Sequence, residues 1–293
     1  MSERLYVGTR KGLFELRRNA AGQWLPMASH FLGEPLSMLL ADPRDGALYA
    51  ALNLGHFGVK LWRRDAGATD WMECAVPVYP PQPPAAEPLE GQAAEPPWSL
   101  QQLWILEPGG ADRPGTLWTC TTKGMRADYM PPEQSEEAAI QDPHRLVQCQ
   151  ARPEFLWVQH HNGIFRSRDG GLHWQGVVAE PSSFGFAVAV HPRQPDTAWF
   201  VPATKDECRI PRDARFVVTR TRDGGRSFET LERGLPDGPA YDLVYRHGLD
   251  IDPSGERLAM GSTTGGLWLS ENGGEDWQQL SANLPPIYCV RFA

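Results

Sequence analysis

Three eight-residue segments of this 293-residue chain nearly superimpose: Ser167-Arg168-Asp169-Gly170-Gly171-Leu172-His173-Trp174, Thr221-Arg222-Asp223-Gly224-Gly225-Arg226-Ser227-Phe228 and Ser270-Glu271-Asn272-Gly273-Gly274-Glu275-Asp276-Trp277. They share the pattern [ST]-x-[DN]-G-G-x-x-[WF]. A looser copy, Arg64–Trp71, keeps an acid, a glycine and the tryptophan. Repetition at this spacing means that one supersecondary unit recurs along the chain. The chemistry of the box is that of a turn. Asp169, Asp223 and Asn272 are placed to accept hydrogen bonds from amides ahead of them. Gly171, Gly225, Gly274 and the glycines before them tolerate positive φ. Ser167, Thr221 and Ser270 tie down the outgoing strand, and Trp174, Phe228 and Trp277 wedge apolar area between sheets. Nothing in the box requires a substrate, so these residues read as structural.

Each box follows the same kind of stretch. Leu156-Trp157-Val158 leads through Gly163-Ile164-Phe165 into the first, and Leu258–Gly261 leads through Gly266-Leu267-Trp268 into the third. Leu5–Leu13 and Leu117–Met125 match one another without a box. Apolar runs ending in a proline turn (Leu39–Pro43, Val188–Pro192, Leu249–Pro253) precede most units. Short runs of Val, Leu and Trp punctuated by Gly, Pro and Asp read as β. Four strands in a unit of about 40–60 residues is the size of a propeller blade. First strands are expected near 36, 102, 145, 185, 246 and 287, hence about six blades. The last, Ile287–Phe292, has no partner strands after it, whereas the chain opens at Leu5 on a second strand lacking a first. Pairing the two ends in one blade closes the ring and removes two open edges.

Composition agrees. The 29 glycines and 27 prolines suit many tight turns and are too scattered for a disordered chain. A net charge of −8 argues against nucleic acid or an anionic membrane as partner. No apolar run is long enough for a transmembrane helix. Met1–Val7 lacks the apolar core of a signal peptide, and the five cysteines include no C-x-x-C pair. Reduced thiols in a cytoplasmic protein are expected.

The boxes resemble the Asp-boxes of BNR-repeat, sialidase-like propellers, a superfamily that also includes sortilin-type domains. Together with Gly8–Phe14, Gly55–Leu61, Pro97–Leu100 and Lys123–Pro132, they make the whole chain resemble a soluble bacterial group commonly labelled exo-α-sialidase or glycosyl hydrolase. Fuller relatives carry a further box unit between a stretch like Gly115–Trp118 and one like Lys123–Met125, which almost touch here. The resemblance therefore implies one domain over 1–293, with six blades in place of seven and an irregular third blade at about 102–135. A Pro-rich inter-blade insertion at about 77–99, suited to a lid or docking segment, interrupts it.

In such propellers the boxes line one face, and ligands bind the opposite face between second-to-third and inter-blade loops. By that rule the mouth gathers Arg10, Lys11, His56, Lys123, Arg126, His160, His161 and Arg209 as ligand-binding candidates. An acidic protein that collects cations at one mouth focuses positive potential there, suiting an anionic small molecule, glycan or peptide. The alternative is a glycoside hydrolase of sialidase type, which needs three arginines, a tyrosine nucleophile and carboxylates. Arg10, Arg126 and Arg246, Tyr129 or Tyr241, and Asp128 or Asp242 are the candidates for those roles. Cys208-Arg209-Ile210-Pro211 echoes the sialidase Phe-Arg-Ile-Pro motif but lies deep in the chain, not near its start. No cofactor pattern appears. Neighbouring residues on a strand point to opposite faces, so His160 and His161 do not both face inward, and no metal is expected.

Overall fold

A computed structural model describes residues 1–82, 98–108 and 121–293. The apolar runs become strands wherever Gly, Pro or Asp ends them. In chain order these are β1 (Arg4–Thr9), β2 (Gly12–Arg18), β3 (Trp24–His30), β4 (Leu36–Ala41), β5 (Leu48–Asn53), β6 (Val59–Arg64) and β7 (Met72–Cys74). The middle of the chain supplies β8 (Pro143–Gln148), β9 (Leu156–His160), β10 (Gly163–Ser167), β11 (Gln175–Val177), β12 (Gly185–Val190), β13 (Ala198–Pro202), β14 (Val218–Thr221) and β15 (Glu229–Leu231). The last are β16 (Leu249–Ile251), β17 (Leu258–Gly261), β18 (Leu267–Ser270), β19 (Gln278–Ser281) and β20 (Ile287–Phe292).

All described ladders are antiparallel, and they form five four-stranded sheets among the described residues: β4–β7, β8–β11, β12–β15, β16–β19 and β20-β1-β2-β3. First strands face one another around a common axis, β20 against β4, β8 against β12, β12 against β16 and β16 against β20. The protein is a β-propeller of four-stranded blades. The two ends share a blade as expected, with Leu5 opposite Phe292 and Val7 opposite Val290. The core is a radial series of interfaces. One cluster joins Trp199 and Phe216 to Met260 and Trp268 between the fourth and fifth sheets in order round the ring. Another joins Leu267 and Leu269 to Leu5, Val7 and Trp24 across the closure.

The box turns form as their chemistry demands. Ser167 Oγ accepts the Gly171 N–H at 2.9 Å, and Asp169 Oδ1 accepts the His173 N–H at 2.9 Å. The same pair of bonds recurs at Thr221/Asp223 and Ser270/Asn272. Both glycines of each pair have φ between 68° and 90°. The turns also join blades. Trp199 Nε1 on β13 donates to Gly273 O at 2.9 Å in the next blade's box, and Arg220 Nη1 on β14 donates to the same oxygen at 2.6 Å. One blade earlier, Arg166 on β10 donates to Gly224 O.

The blade count departs from expectation: five are described, not about six. The strand expected near 102 does not form within 98–108, and its expected neighbour Leu117–Cys120 lies outside the described residues, as does 83–97 of the Pro-rich insertion. Residues 98–108 are tied to the second blade by side chains instead. Ser37 Oγ donates to Leu103 O at 3.3 Å, and Asn53 Nδ2 to Gln102 Oε1 at 3.4 Å. Lys123 also departs from its expected place. Lys123 O accepts the Trp174 N–H at 2.8 Å, just as Arg233 O accepts that of Trp277 at 2.8 Å. Gly124 and Gly234 follow with φ of 92° and 82°, and Met125 and Leu235 then pack on the two box tryptophans. Lys123-Gly124-Met125 is thus the counterpart of Arg233-Gly234-Leu235. It is the trailing end of a blade, docked on the next box, and not a second-to-third turn.

Two outcomes follow from these turns. A Cβ at Gly124 or Gly234 collides with the backbone oxygen of Trp174 or Trp277 at a φ that L residues rarely adopt. Gly124→Ala and Gly234→Ala each lower stability by about 1–3 kcal/mol in urea denaturation, while Gly238→Ala, whose Cβ meets open space, changes little. A Gly124→Ala protein as stable as wild type would remove the equivalence. Separately, the N–H and ring of His173 hold the Asp169 carboxyl at about 2, and Ser227 holds Asp223 at about 2. An unfolded aspartate titrates near ~3.9, so both carboxylates stabilise the fold above that pH and cease to do so as pH falls toward 2. The urea midpoint is expected to drop between pH 4 and 2, and Asp169→Asn to flatten part of that drop.

Candidate functional site

Loops that join the strands surround a cavity of about 460 Å³. Its wall is built from separate loops. Arg10 comes from the β1–β2 turn, Asn53 and Gly55 from the β5–β6 loop, and Arg209 from the β13–β14 loop. Tyr245, Arg246 and His247 come from the segment entering β16, Tyr288 from β20, and Gln102 and Trp104 from the stretch after the insertion. No carboxylate lines it among the described residues. Among the described residues Arg10 and Arg246 make no ion pair there, whereas Arg209 is paired with Asp206 at 2.6 Å. The guanidinium of Arg246 lies 5.4 Å from the Trp104 ring centre and 5.6 Å from that of Phe186. Arg209 lies over the same Phe186 ring at 5.3 Å, so two like charges share one aromatic ring. Burial, and next in line among its destabilising influences the nearby Arg209, lower the Arg246 pKa from its ordinary value.

Deeper toward the axis the first strands add further positive charge. Arg291 on β20 lies 3.0 Å from His247 Nδ1, and Arg145 on β8 meets the same nitrogen. Burial and then Arg291 push Arg145 down to about 9, which leaves it charged at neutral pH. Asp250 on β16 is the partly compensating anion; its Oδ2 accepts the Phe292 N–H at 2.9 Å, and burial raises its pKa.

A second constellation sits on the third blade. β8 and β9 pair with a register shift between Pro143 and Arg145, so His144 occupies a bulge. His144 stacks on Phe186 at 4.4 Å and 14°, and its Nδ1 lies 2.7 Å from Gly185 O. His161 Nδ1 is 3.3 Å from Asp142 Oδ2, and Tyr129 packs edge-on against the His161 ring. Asp142, His144 and His161 each present a ligand-type atom, all within 4.8 Å of one another. His160 turns the other way, buried against Phe165, with Nε2 accepting the Asp142 N–H at 3.1 Å. Burial pushes His160 down to about 4 and lowers His144 as well.

Of the residues singled out from sequence, Arg10, Arg209 and Arg246 meet at the cavity. Gly55 reaches it, but His56 stacks on Phe57 at the exposed tip of that loop. Lys11 and Lys123 are not on its wall, nor are His160 and His161. Arg126 and Asp128 pair at 3.4 Å on the surface, where Asn162 Nδ2 donates to Asp128 at 3.2 Å. Tyr129 Oη donates to Ile140 O, so it is engaged away from the arginines. Asp242 accepts from Ser262 Oγ at 2.6 Å and from Thr264, beside an exposed Tyr241. The three arginines, tyrosine and carboxylates of a sialidase are therefore not gathered around one point. Sequence reasoning missed Trp104, Tyr288 and Asn53 on the wall and Asp142 and His144 on the third blade. An Asp-x-His at the head of a strand was the available signal for the last two.

No protein-family model and no curated protein matches the chain. Solved structures similar to it include YCF48 from Cyanidioschyzon merolae, at 18% identity and TM-score 0.33 over 49% of this chain and 41% of that one. A YCF48 structure bound to a D1 peptide is similar at 18% identity and TM-score 0.36, over 50% of this chain and 43% of that one. The GH74 xyloglucanase of Xanthomonas campestris is 15% identical with TM-score 0.33, over 92% of this chain and 44% of the enzyme. The chain thus spans less than half the length of these three structures.

Proposed function

We propose that the protein is an Asp-box propeller working as a binding module, whose cavity takes an anionic small molecule or the acidic unit of a glycan or peptide. The observation that carries this reading is a wall with Arg10, Arg209, Arg246 and His247 and no described carboxylate. Like charges gathered from separate loops cost Coulomb energy, and an anion in their midst converts that cost into attraction. A guanidinium presents a planar fork of donors matched to carboxylate or phosphate. Trp104, Tyr245 and Tyr288 add apolar faces, while Ser37, Asn53 and Gln102 add polar groups for hydroxyls. A volume of 460 Å³ is in the range that holds a small ligand. A sialidase-type hydrolase is the competing reading, and among the described residues the cavity wall offers it no carboxylate.

The test is a thermal-shift and calorimetric screen of sialic acid, hexuronates and sugar phosphates beside neutral sugars, run with a fluorogenic sialoside assay. Acidic ligands are expected to raise Tm, with affinity that falls as salt rises. Arg246→Ala and Arg10→Ala are each expected to weaken binding about tenfold or more, the effect of removing one charged hydrogen bond. Preference for neutral sugars, or unchanged affinity in both variants, would overturn the binding reading. Sialoside turnover lost in Arg126→Ala and Tyr241→Phe would replace it with the hydrolase.

A further inference from the structure

We infer that Asp142, His144 and His161 form a binding site for one divalent transition-metal ion. The argument begins with a tautomer. His144 Nδ1 lies 2.7 Å from Gly185 O, and a carbonyl oxygen only accepts, so Nδ1 carries the proton. In the neutral ring Nε2 then presents a lone pair. That nitrogen is 3.8 Å from Asp142 Oδ2, too far for a hydrogen bond, and it makes no other hydrogen bond among the described residues. An imidazole lone pair and a carboxylate oxygen, both acceptors, thus face one another with His161 Nδ1 3.3 Å from the same oxygen. A cation between them satisfies all three.

The surroundings are those of a ligand site. The His144 side chain is 2% exposed and is held by the bulge, by the Gly185 bond and by the Phe186 ring. A metal-binding histidine commonly donates its other N–H to a backbone carbonyl, which fixes the ring and raises its basicity. The segment that leads into β8 is clamped to the β9–β10 turn, since the His161 N–H donates to Asp142 O at 3.0 Å. Phe184 and Tyr129 pack edge-on against His161 and give the cluster an apolar collar. Ligand atoms around a tetrahedral ion with bonds of about 2.0–2.2 Å stand about 3.3–3.6 Å apart. The His161–Asp142 separation already lies in that range, His144 Nε2 stands 3.8 Å from the same oxygen, and the two imidazole nitrogens, no more than 4.8 Å apart, close by a small rotation of the partly exposed His161 ring. Two imidazoles and one carboxylate suit Zn²⁺ or another first-row ion and leave a coordination position open to solvent. The site differs from the arginine-lined cavity in residues and in charge preference.

The test titrates metal-stripped full-length protein with Zn²⁺ in a calorimeter and measures bound metal after dialysis. One Zn²⁺ per chain is expected. His161→Ala and Asp142→Asn, both at partly exposed positions, are expected to lower affinity at least tenfold while circular dichroism stays that of the wild type. His56→Ala and His173→Ala, changes at exposed histidines elsewhere, are expected to leave the stoichiometry at one. No binding to the wild type at 100-fold excess Zn²⁺, or equal affinity in His161→Ala, would overturn the assignment. An unchanged response of the anion cavity in His161→Ala keeps this outcome separate from that of the binding module.

Discussion

The pairing of β20 with β1 is the interaction on which the rest depends. Without it the first blade has three strands and an open edge, and the ring has two loose ends. With it, Leu5, Val7, Val290 and Phe292 enter one interface with Leu267 and Leu269 of the preceding blade. The seam is then reinforced at the rim. Arg18 meets Glu271 at 2.7 Å, Trp24 Nε1 donates to the same carboxylate at 3.3 Å, and Arg257 reaches back to Ser2 O and to Glu3. Closure also sets the axis. It brings Arg291 of the last strand next to His247 on the cavity wall, so that part of the positive charge depends on the two ends sharing a blade.

At the joins from the third to the fourth and from the fourth to the fifth blade the same task falls to box oxygens. The first glycine of the box, Gly224 or Gly273, uses its positive φ to turn a carbonyl outward, and the preceding blade supplies the donor. Gly273 O takes two donors, Trp199 Nε1 and Arg220 Nη1. Arg220 is almost wholly buried and is further matched by Glu229 at 2.6 Å and Glu275 at 2.5 Å. A buried guanidinium is tolerable only with such matching, and removing one partner would leave an uncompensated charge. The box therefore repeats because it fixes blade-to-blade spacing, which explains acids that look catalytic yet serve the fold.

Local turn chemistry was the legible part of the sequence. Gly-Gly after an acid, Pro after an apolar run and the complementary chain ends all specify short-range geometry, and they located the boxes, most strands and the closure. The blade number was less legible because matching Leu117–Met125 to Leu5–Leu13 rests on letters, while the role of a Lys-Gly pair depends on what it docks against. Lys11-Gly12 closes a hairpin; Lys123-Gly124 seats on Trp174. Arg10, Arg209 and Arg246 were legible as loop cations, but their shared position needs the ring's three-dimensional order. His144 was harder to read than the Asp-x-His spacing alone suggests, because a bulge, which a strand pattern does not announce, rotates it out of alternation.

Phe186 links the two constellations. It is buried on β12, the strand between the third and fifth blades; one side of its surroundings holds the Arg209 and Arg246 guanidiniums and another the stacked His144 ring. An aromatic face attracts cations, and its presence stabilises two arginines that would otherwise repel. The same ring restrains His144 in the orientation that points Nε2 at Asp142. Asp142 in turn acts on Arg246, favouring its charged form against the burial that opposes it. The ring at the centre of the fourth blade's first strand and the carboxylate at the head of β8 thus each face both constellations, although the residues that line the two are different.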